Sequence, residues 1–173
     1  MKEYKWNYLM TPEALPMFQV ICDSIKREGC TSVLDIGCGY SKISQLLDIS
    51  ICGIDLDEDA IDYCNENYPG EYLVQDCATV NSSLFSNDFD CLVLSGLLYY
   101  FKDGFAGGIT MTEYINKLIN EFDPKLIVVA EPQAREDYNG PDYTQFLETF
   151  NPKSTPMSLD IRMGDRIVYE ILV

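Results

Sequence analysis

Two glycines one residue apart, Gly37 and Gly39, close the run Val33-Leu34-Asp35-Ile36, and Asp35 stands two places before the first of them. A residue without a Cβ lets the backbone enter positive φ and lets a ligand lie directly against it. Ile43, Leu46 and Leu47 follow at helical spacing, so Val33 to Ser41 predicts strand, tight turn, helix. The N–H groups opening that helix favour an anionic group, and the stretch is expected to cradle a small molecule. A dinucleotide fingerprint would need a third glycine at position 42, where the chain has Lys42, and no G-x-x-x-x-G-K-[ST] phosphate loop is present.

A second candidate lies further on. Ile49 to Asp55 is a short apolar run ending in an acid, about 20 residues past the first glycine, where a nucleotide-binding α/β unit sets a carboxylate against ribose hydroxyls. The competing role for Asp55 is to start the next helix, and Asp57 is better placed for that, with Glu58 and Asp59 in the positive helix end. Asp55, Asp57, Asp59 and Glu66 also fall at positions 1, 3, 5 and 12 of a calcium-binding EF-hand loop. Position 6 is Ala60 where that loop needs glycine, and Ile61 and Cys64 continue a helix through it, so no metal site is expected. Glu71 to Val74 reads as a third strand, with Gln75-Asp76-Cys77-Ala78 at its carboxyl end. Open α/β sheets bind ligands outside the carboxyl ends of their strands, so Gly37 to Gly39, Asp55 and Asp76 are expected to converge on one crevice.

The elements that must position these residues alternate along the chain. Pro16 to Glu28 carries Phe18, Ile21, Cys22 and Ile25 on one face, and Gly29 marks its end. Ahead of it, Tyr4, Trp6 and Tyr8 alternate with polar residues and either pack at the sheet edge or fold over the ligand. Phe89 to Leu94 has the composition of a buried parallel strand, and Ser95-Gly96-Leu97-Leu98-Tyr99-Tyr100 follows it. Lys102 to Thr110 is glycine-rich, Met111 to Glu121 is helical, and Lys125 to Ala130 is a fifth strand ending at Glu131-Pro132. Residues 133–143 are polar and turn-forming, a short helix is expected near Asp142 to Phe150, and Met157 to Met163 with Arg166 to Val173 reads as a hairpin about Gly164-Asp165.

Composition bounds the rest. The 173 residues are expected to form one domain, with 1–29 as a leading segment and helix and 30–173 as the core. The net charge is −16, and from Lys42 to Lys102 there is no intervening Lys or Arg while eleven acids fall between them. Such a surface repels phosphate backbones, so nucleic acid is not an expected partner. No run approaches the ~18 apolar residues of a membrane span, and no apolar signal region follows Met1-Lys2, which leads us to expect a cytoplasmic protein with no membrane partner. Seven cysteines without a C-x-x-C pair, in a chain with no histidine, read as reduced, buried thiols.

The run L-D-I-G-C-G resembles the first motif of the class I S-adenosylmethionine-dependent methyltransferases, and the order of elements over residues 30–173 is similar to theirs. The resemblance implies a doubly wound, mostly parallel seven-stranded sheet with a C-terminal antiparallel hairpin and helices on both faces. It also implies S-adenosyl-L-methionine as cofactor. By position, Gly37, Cys38 and Gly39 would lie against its methionine part, with Asp35 supporting the loop or the ammonium. Asp55 would meet the ribose and Asp76 the adenine amino group. Leu56 and Cys77 would wall the base or merely fill space, and Ser95 would approach the transferred methyl. The chain departs from the family at Ser41, where a third glycine is frequent.

The activity so implied is methyl transfer to a small-molecule acceptor by in-line attack. Cofactor cleavage, aminocarboxypropyl transfer and a catalytically silent binding subunit are the alternatives. The D/N-P-P motif of nucleic-acid amino-methyltransferases is absent after the fourth strand, and Tyr99 and Tyr100 stand where small-molecule members often carry histidine. Either tyrosine, or Glu131, is then the available proton acceptor, Glu131 first because a carboxylate at the mouth of an apolar pocket is raised toward neutrality. Glu131 as a cap for the following turn is the competing reading.

Overall fold

The computed structural model describes residues 12–98, 108–132, 143–158 and 165–173. Seven strands form one sheet in the order β3-β2-β1-β4-β5-β7-β6: β1 Ser32–Ile36, β2 Ser50–Asp55, β3 Tyr72–Val74, β4 Cys91–Ser95, β5 Leu126–Pro132, β6 Lys153–Ser158 and β7 Asp165–Leu172. The first five pair in parallel, and β7 runs antiparallel between β5 and β6. Strand order reverses beside β1, whose neighbours are β2 and β4, and a crevice opens at that point in sheets of this kind.

The central strands are apolar without alternation because both faces of the sheet are covered. Leu34, Ile36, Leu92, Leu94, Ile127 and Val129 pack with Met111, Tyr114, Ile115 and Leu118 of the helix Met111–Phe122, here α3. Their neighbours along each strand, Val33, Cys91, Val93, Leu126 and Val128, pack on the other face with Met17, Phe18, Ile21 and Ile25 of α1, Leu15–Arg27. Each such large side chain contributes about 1.5–3 kcal/mol by leaving water.

Local chemistry sets the helix ends. Pro16 lies in the first turn of α1, and the helix closes at Gly29 (φ +66), where Gly29 N donates to Lys26 O and Cys30 N to Ile25 O, both at 3.1 Å. Asp57 caps α2, Glu58–Asn67, by accepting from Ala60 N at 3.1 Å, as its sequence position suggests. Thr110 and Glu113 form a reciprocal capping box on α3. The short α4 spans Thr144–Phe150. On β7, buried Glu170 accepts from Ser24 Oγ at 2.9 Å and pairs with Arg27, which fastens α1 to the far half of the sheet.

Two expectations are corrected. No α-helix follows the glycine turn; Lys42–Gln45 is one 3-10 turn, because only a few residues separate it from the start of β2. The Ile43 and Leu47 spacing serves instead as a plug buried against α1. The sixth strand lies earlier than Met157 to Met163: Lys153 pairs with Glu170 and Ser158 with Asp165. Pro156 is tolerated there because β6 is an edge strand. Smaller shifts move the start of β4 to Cys91, with Phe89 packed on Phe85 and Phe122, and carry β5 two residues on through Pro132.

Candidate functional site

The loop after β1 winds tightly, with Gly37, Gly39 and Ser41 at φ 75, 48 and 46. Glycine takes the left-handed region freely, whereas an L-residue there is strained, which explains the local cost of Ser41. The loop is also clipped to β2. Gly37 N and Cys38 N donate to Ile54 O at 2.8 and 2.9 Å, and Gly39 N donates to Asp55 Oδ2 at 2.8 Å. The other oxygen, Asp55 Oδ1, accepts from Asp57 N at 2.9 Å, and Asp55 O accepts from Gln75 N at the end of β3, also at 2.9 Å. Asp55 thereby joins the ends of β1, β2 and β3.

Asp35 lies beneath this loop, 4% exposed, with Ser41 Oγ donating to its Oδ2 at 3.5 Å. Burial, and then the nearby charge of Asp55, push its pKa up to about 7, against the opposing Ser41 hydroxyl. From Ser41 a polar chain runs on through Ser44 Oγ to Tyr72 OH, each link 2.6 Å long. Tyr72 is itself raised to about 12, chiefly by burial. Cys38 turns inward: a Cβ at Gly53 would stand 2.8 Å from its Sγ, so Gly53 must be glycine for the two strands and the loop to close up. The Cys64 thiol beside it, and burial, hold Cys38 well above the ordinary thiol range, while Cys64 Sγ donates to Gly39 O at 3.4 Å.

At the end of β3, Asp76 Oδ1 accepts from Ala78 N at 2.9 Å and opens the 3-10 turn Cys77–Thr79. Cys77 is buried, and burial followed by the Asp76 charge pushes its thiol up to about 12. Leu56, by contrast, is 69% exposed beside Asp55. Ser95 ends β4 with a buried hydroxyl that has no hydrogen-bond partner among the described residues. Glu131 is fully buried within β5, opposite Ile167, and its Oε1 accepts from Leu98 N at 2.7 Å. It thus anchors the segment after β4. Tyr99 and Tyr100 lie outside the described residues.

Of the residues expected from sequence, Asp35, Gly37, Cys38, Gly39 and Asp55 are linked by hydrogen bonds around the loop after β1, Asp76 follows Gln75, whose N–H donates to Asp55 O, and Ser95 and Glu131 belong to the adjoining strand ends. Sequence reading missed Ser44 and Tyr72. It also missed Tyr114 and Lys117 of α3, which reach back to the turn after β3, and Glu121, which reaches Ser82 just beyond it. Tyr114-x-x-Lys117 was visible only as one face of an amphipathic helix. Among the described residues no group of three or more His, Cys, Asp or Glu could hold a metal ion.

A parallel sheet that reverses at β1, with a glycine turn at the β1 end and an antiparallel β7, defines the Rossmann-like class I methyltransferase fold. Residues 34–106 match a family model described as a methyltransferase domain. Among solved structures, the chain is similar to the N-methyltransferase NodS of Bradyrhizobium japonicum WM9, crystallised with S-adenosyl-L-homocysteine. There the identity is 15% and the TM-score 0.74, over 99% of this chain and 92% of that one. Magnesium protoporphyrin IX methyltransferase of Synechocystis PCC 6803, also with bound S-adenosylhomocysteine, matches at 12% identity and TM-score 0.65 over 92% and 83%. The 16S rRNA methylase RmtB matches at 18% and 0.60 over 93% and 64%. No sequence match is found among curated proteins. Residues 34–106 thus match a methyltransferase domain, and the chain has the class I methyltransferase fold.

Proposed function

We propose that the protein methylates a small-molecule acceptor. One observation carries the cofactor half of this reading: Asp55 bonds Gly39 N with its carboxylate and Gln75 N with its carbonyl, so three strand ends form one continuous ligand surface. That surface fits the cofactor. Asp55 sets negative charge beside a ligand carrying an ammonium and a sulfonium, buried Asp35 adds to it when it ionises, with a pKa pushed up to about 7, and exposed Leu56 offers an apolar side to a base. Each carboxylate oxygen of Asp55 retains a second lone pair for a ribose hydroxyl. Asp76 would meet the adenine amino group between Leu56 and Cys77. The backbone of Gly37, Cys38 and Gly39, backed by Asp35, would meet the methionine end.

When bound, S-adenosylmethionine supplies a methyl group on sulfonium, a leaving group that needs no proton. The chain's own task is therefore to orient an acceptor, keep water out and take up the acceptor's proton. Ser95 and Glu131 stand at the ends of β4 and β5, next to the cofactor surface, with Tyr99 and Tyr100 following in sequence. Orientation alone can supply roughly 7–11 kcal/mol of barrier lowering in favourable cases. Glu131 is the proton acceptor in this reading, with its bond to Leu98 N fixing where the carboxylate stands. The stretch between Lys42 and Lys102, which supplies the ends of β2 and β3, holds no cation to meet a phosphate backbone, and this supports a small acceptor over nucleic acid.

The test has two arms. Titration calorimetry is expected to show binding of S-adenosylmethionine and S-adenosylhomocysteine and none of NAD or ATP. Methyl transfer is then assayed with small amines, hydroxyls and carboxylates in parallel with structured RNA. Salt-sensitive RNA binding with methylation would overturn the small-acceptor reading, and cofactor breakdown with every acceptor would point to a lyase.

A further inference from the structure

The turn after β3 is held from outside. Three residues of α3 at i, i+3 and i+7, all on one side of the helix, reach a segment more than thirty residues earlier in the chain. Tyr114 OH donates to Cys77 O at 2.9 Å and Lys117 Nζ to Ala78 O at 2.7 Å. Glu121 Oε1 accepts from both Ser82 N and Ser82 Oγ at 2.7 Å. Two of these bonds end on peptide groups that in turn bind Asp76. The peptide whose carbonyl is Cys77 O has Ala78 N–H at its other end, and that N–H donates to Asp76 Oδ1 at 2.9 Å. The peptide of Ala78 O carries Thr79 N–H, which donates to Asp76 O at 3.0 Å.

A donor placed on a carbonyl polarises its peptide and makes the N–H beyond it a stronger donor, and a cation does so most. Tyr114 and Lys117 thus act on Asp76 through one peptide each. Tyr114 stiffens the carboxylate, and Lys117 stiffens the backbone that carries it. Buried Tyr114 is held by the core, so the chain of bonds starts from a fixed point. Lys117 brings a positive charge to a stretch of sequence that has none of its own between Lys42 and Lys102.

We infer that α3 sets the base specificity of the cofactor site: Tyr114 and Lys117 are positioning residues that hold the Asp76 carboxylate in the one orientation that accepts from an exocyclic amine and rejects a carbonyl. The inference rests on the cofactor reading above. A carboxylate can accept from a 6-amino group but meets a 6-oxo group oxygen to oxygen. The discrimination therefore depends on how little the carboxylate can turn away.

The test compares S-adenosylhomocysteine with S-inosylhomocysteine, its 6-oxo analogue, by calorimetry on the full chain and on Tyr114→Phe and Lys117→Met. Phe keeps the ring in the core, and Met keeps the aliphatic stem of Lys117 without its charge. Each variant is expected to weaken S-adenosylhomocysteine by about tenfold, the size of one lost bond of this kind, and to leave the 6-oxo analogue unchanged, so the preference for the amine shrinks by that factor. A loss shared equally by both ligands would mark a merely structural role and overturn the inference, as would unaltered selectivity in variants with wild-type melting temperatures. If Tyr114→Phe fails to fold, Lys117→Met, whose side chain is not in the core, decides alone. Wild-type protein that binds neither ligand would remove the cofactor reading itself. Wild-type protein that discriminates while both variants discriminate equally well would remove only the role of α3.

Discussion

The strand ends of β1 to β3 and those of β4 and β5 are built on opposite plans. On the first side, acids hold backbone: Asp55 takes Gly39 N and Asp57 N, Asp76 takes Ala78 N, and Asp35 lies under the loop with Ser41. On the second side, among the described residues, Glu131 fixes the segment after β4 through Leu98 N and Ser95 keeps a hydroxyl without a partner. A ligand common to a whole family needs a surface fixed before it arrives, and many short bonds to backbone provide one. The proposed acceptor side shows fewer such bonds among the described residues.

If this contrast is right, the largest effect of a single conservative change belongs to the sparse side. Glu131→Gln keeps an oxygen for Leu98 N and loses basicity. It is expected to lower turnover by about 10²-fold or more with cofactor affinity intact, read as kcat against a calorimetric Kd. A variant with normal turnover would make Glu131 an anchor alone.

On the dense side, Asp55→Ala removes the carboxylate that holds Gly39 N and that is proposed to meet the ribose. The expected loss is about 1.5–3 kcal/mol of cofactor binding, some ten- to a hundredfold in Kd. Unchanged affinity in the folded variant would show that the loop stands without Asp55 and that the ribose lies elsewhere.

The smallest effect is on stability, at Asp35. Its pKa of about 7 in the fold lies above its ordinary value of 3.8. Between those values the folded protein keeps a proton that the unfolded chain has released, so stability falls as pH rises through that window and stays lower above it. Asp35→Asn is expected to melt several degrees higher than wild type at pH 8, with the difference closing toward pH 4. A constant difference across pH would place the carboxylate in water.

This contrast also explains what the sequence disclosed. Gly37, Gly39, Asp55 and Asp76 announce themselves because their types and spacing are what a strand-end loop requires; the apolar runs located strands along the chain, and the form of the sheet came from the family resemblance. The α1 boundary and the Asp57 cap were legible for the same local reason. The helix expected after Gly39 was not there, since Ile43, Leu46 and Leu47 satisfy a helical period and a single 3-10 turn equally well. β6 was placed too late because its true span, with Pro156 and three hydroxyl residues, has little strand character without β7 beside it. Ser44 with Tyr72, and Tyr114 with Cys77, are partners 28 and 37 residues apart, and no local pattern signals such pairs. Glu131 was seen at its strand end, but its burial depends on β5 continuing past it.

The place of β7 has a consequence for how the molecule is made. It is the last strand in sequence, yet it lies between β5 and β6 and carries Glu170, the residue that receives Ser24 from 146 positions earlier. During synthesis β5 leaves the ribosome with one edge bare, and β6 has no neighbour to pair with until β7 emerges. A nascent chain in that state exposes a long apolar edge, the kind that recruits chaperones or pairs with other chains. Emergence of β7 then closes the sheet and clamps the first helix in one event.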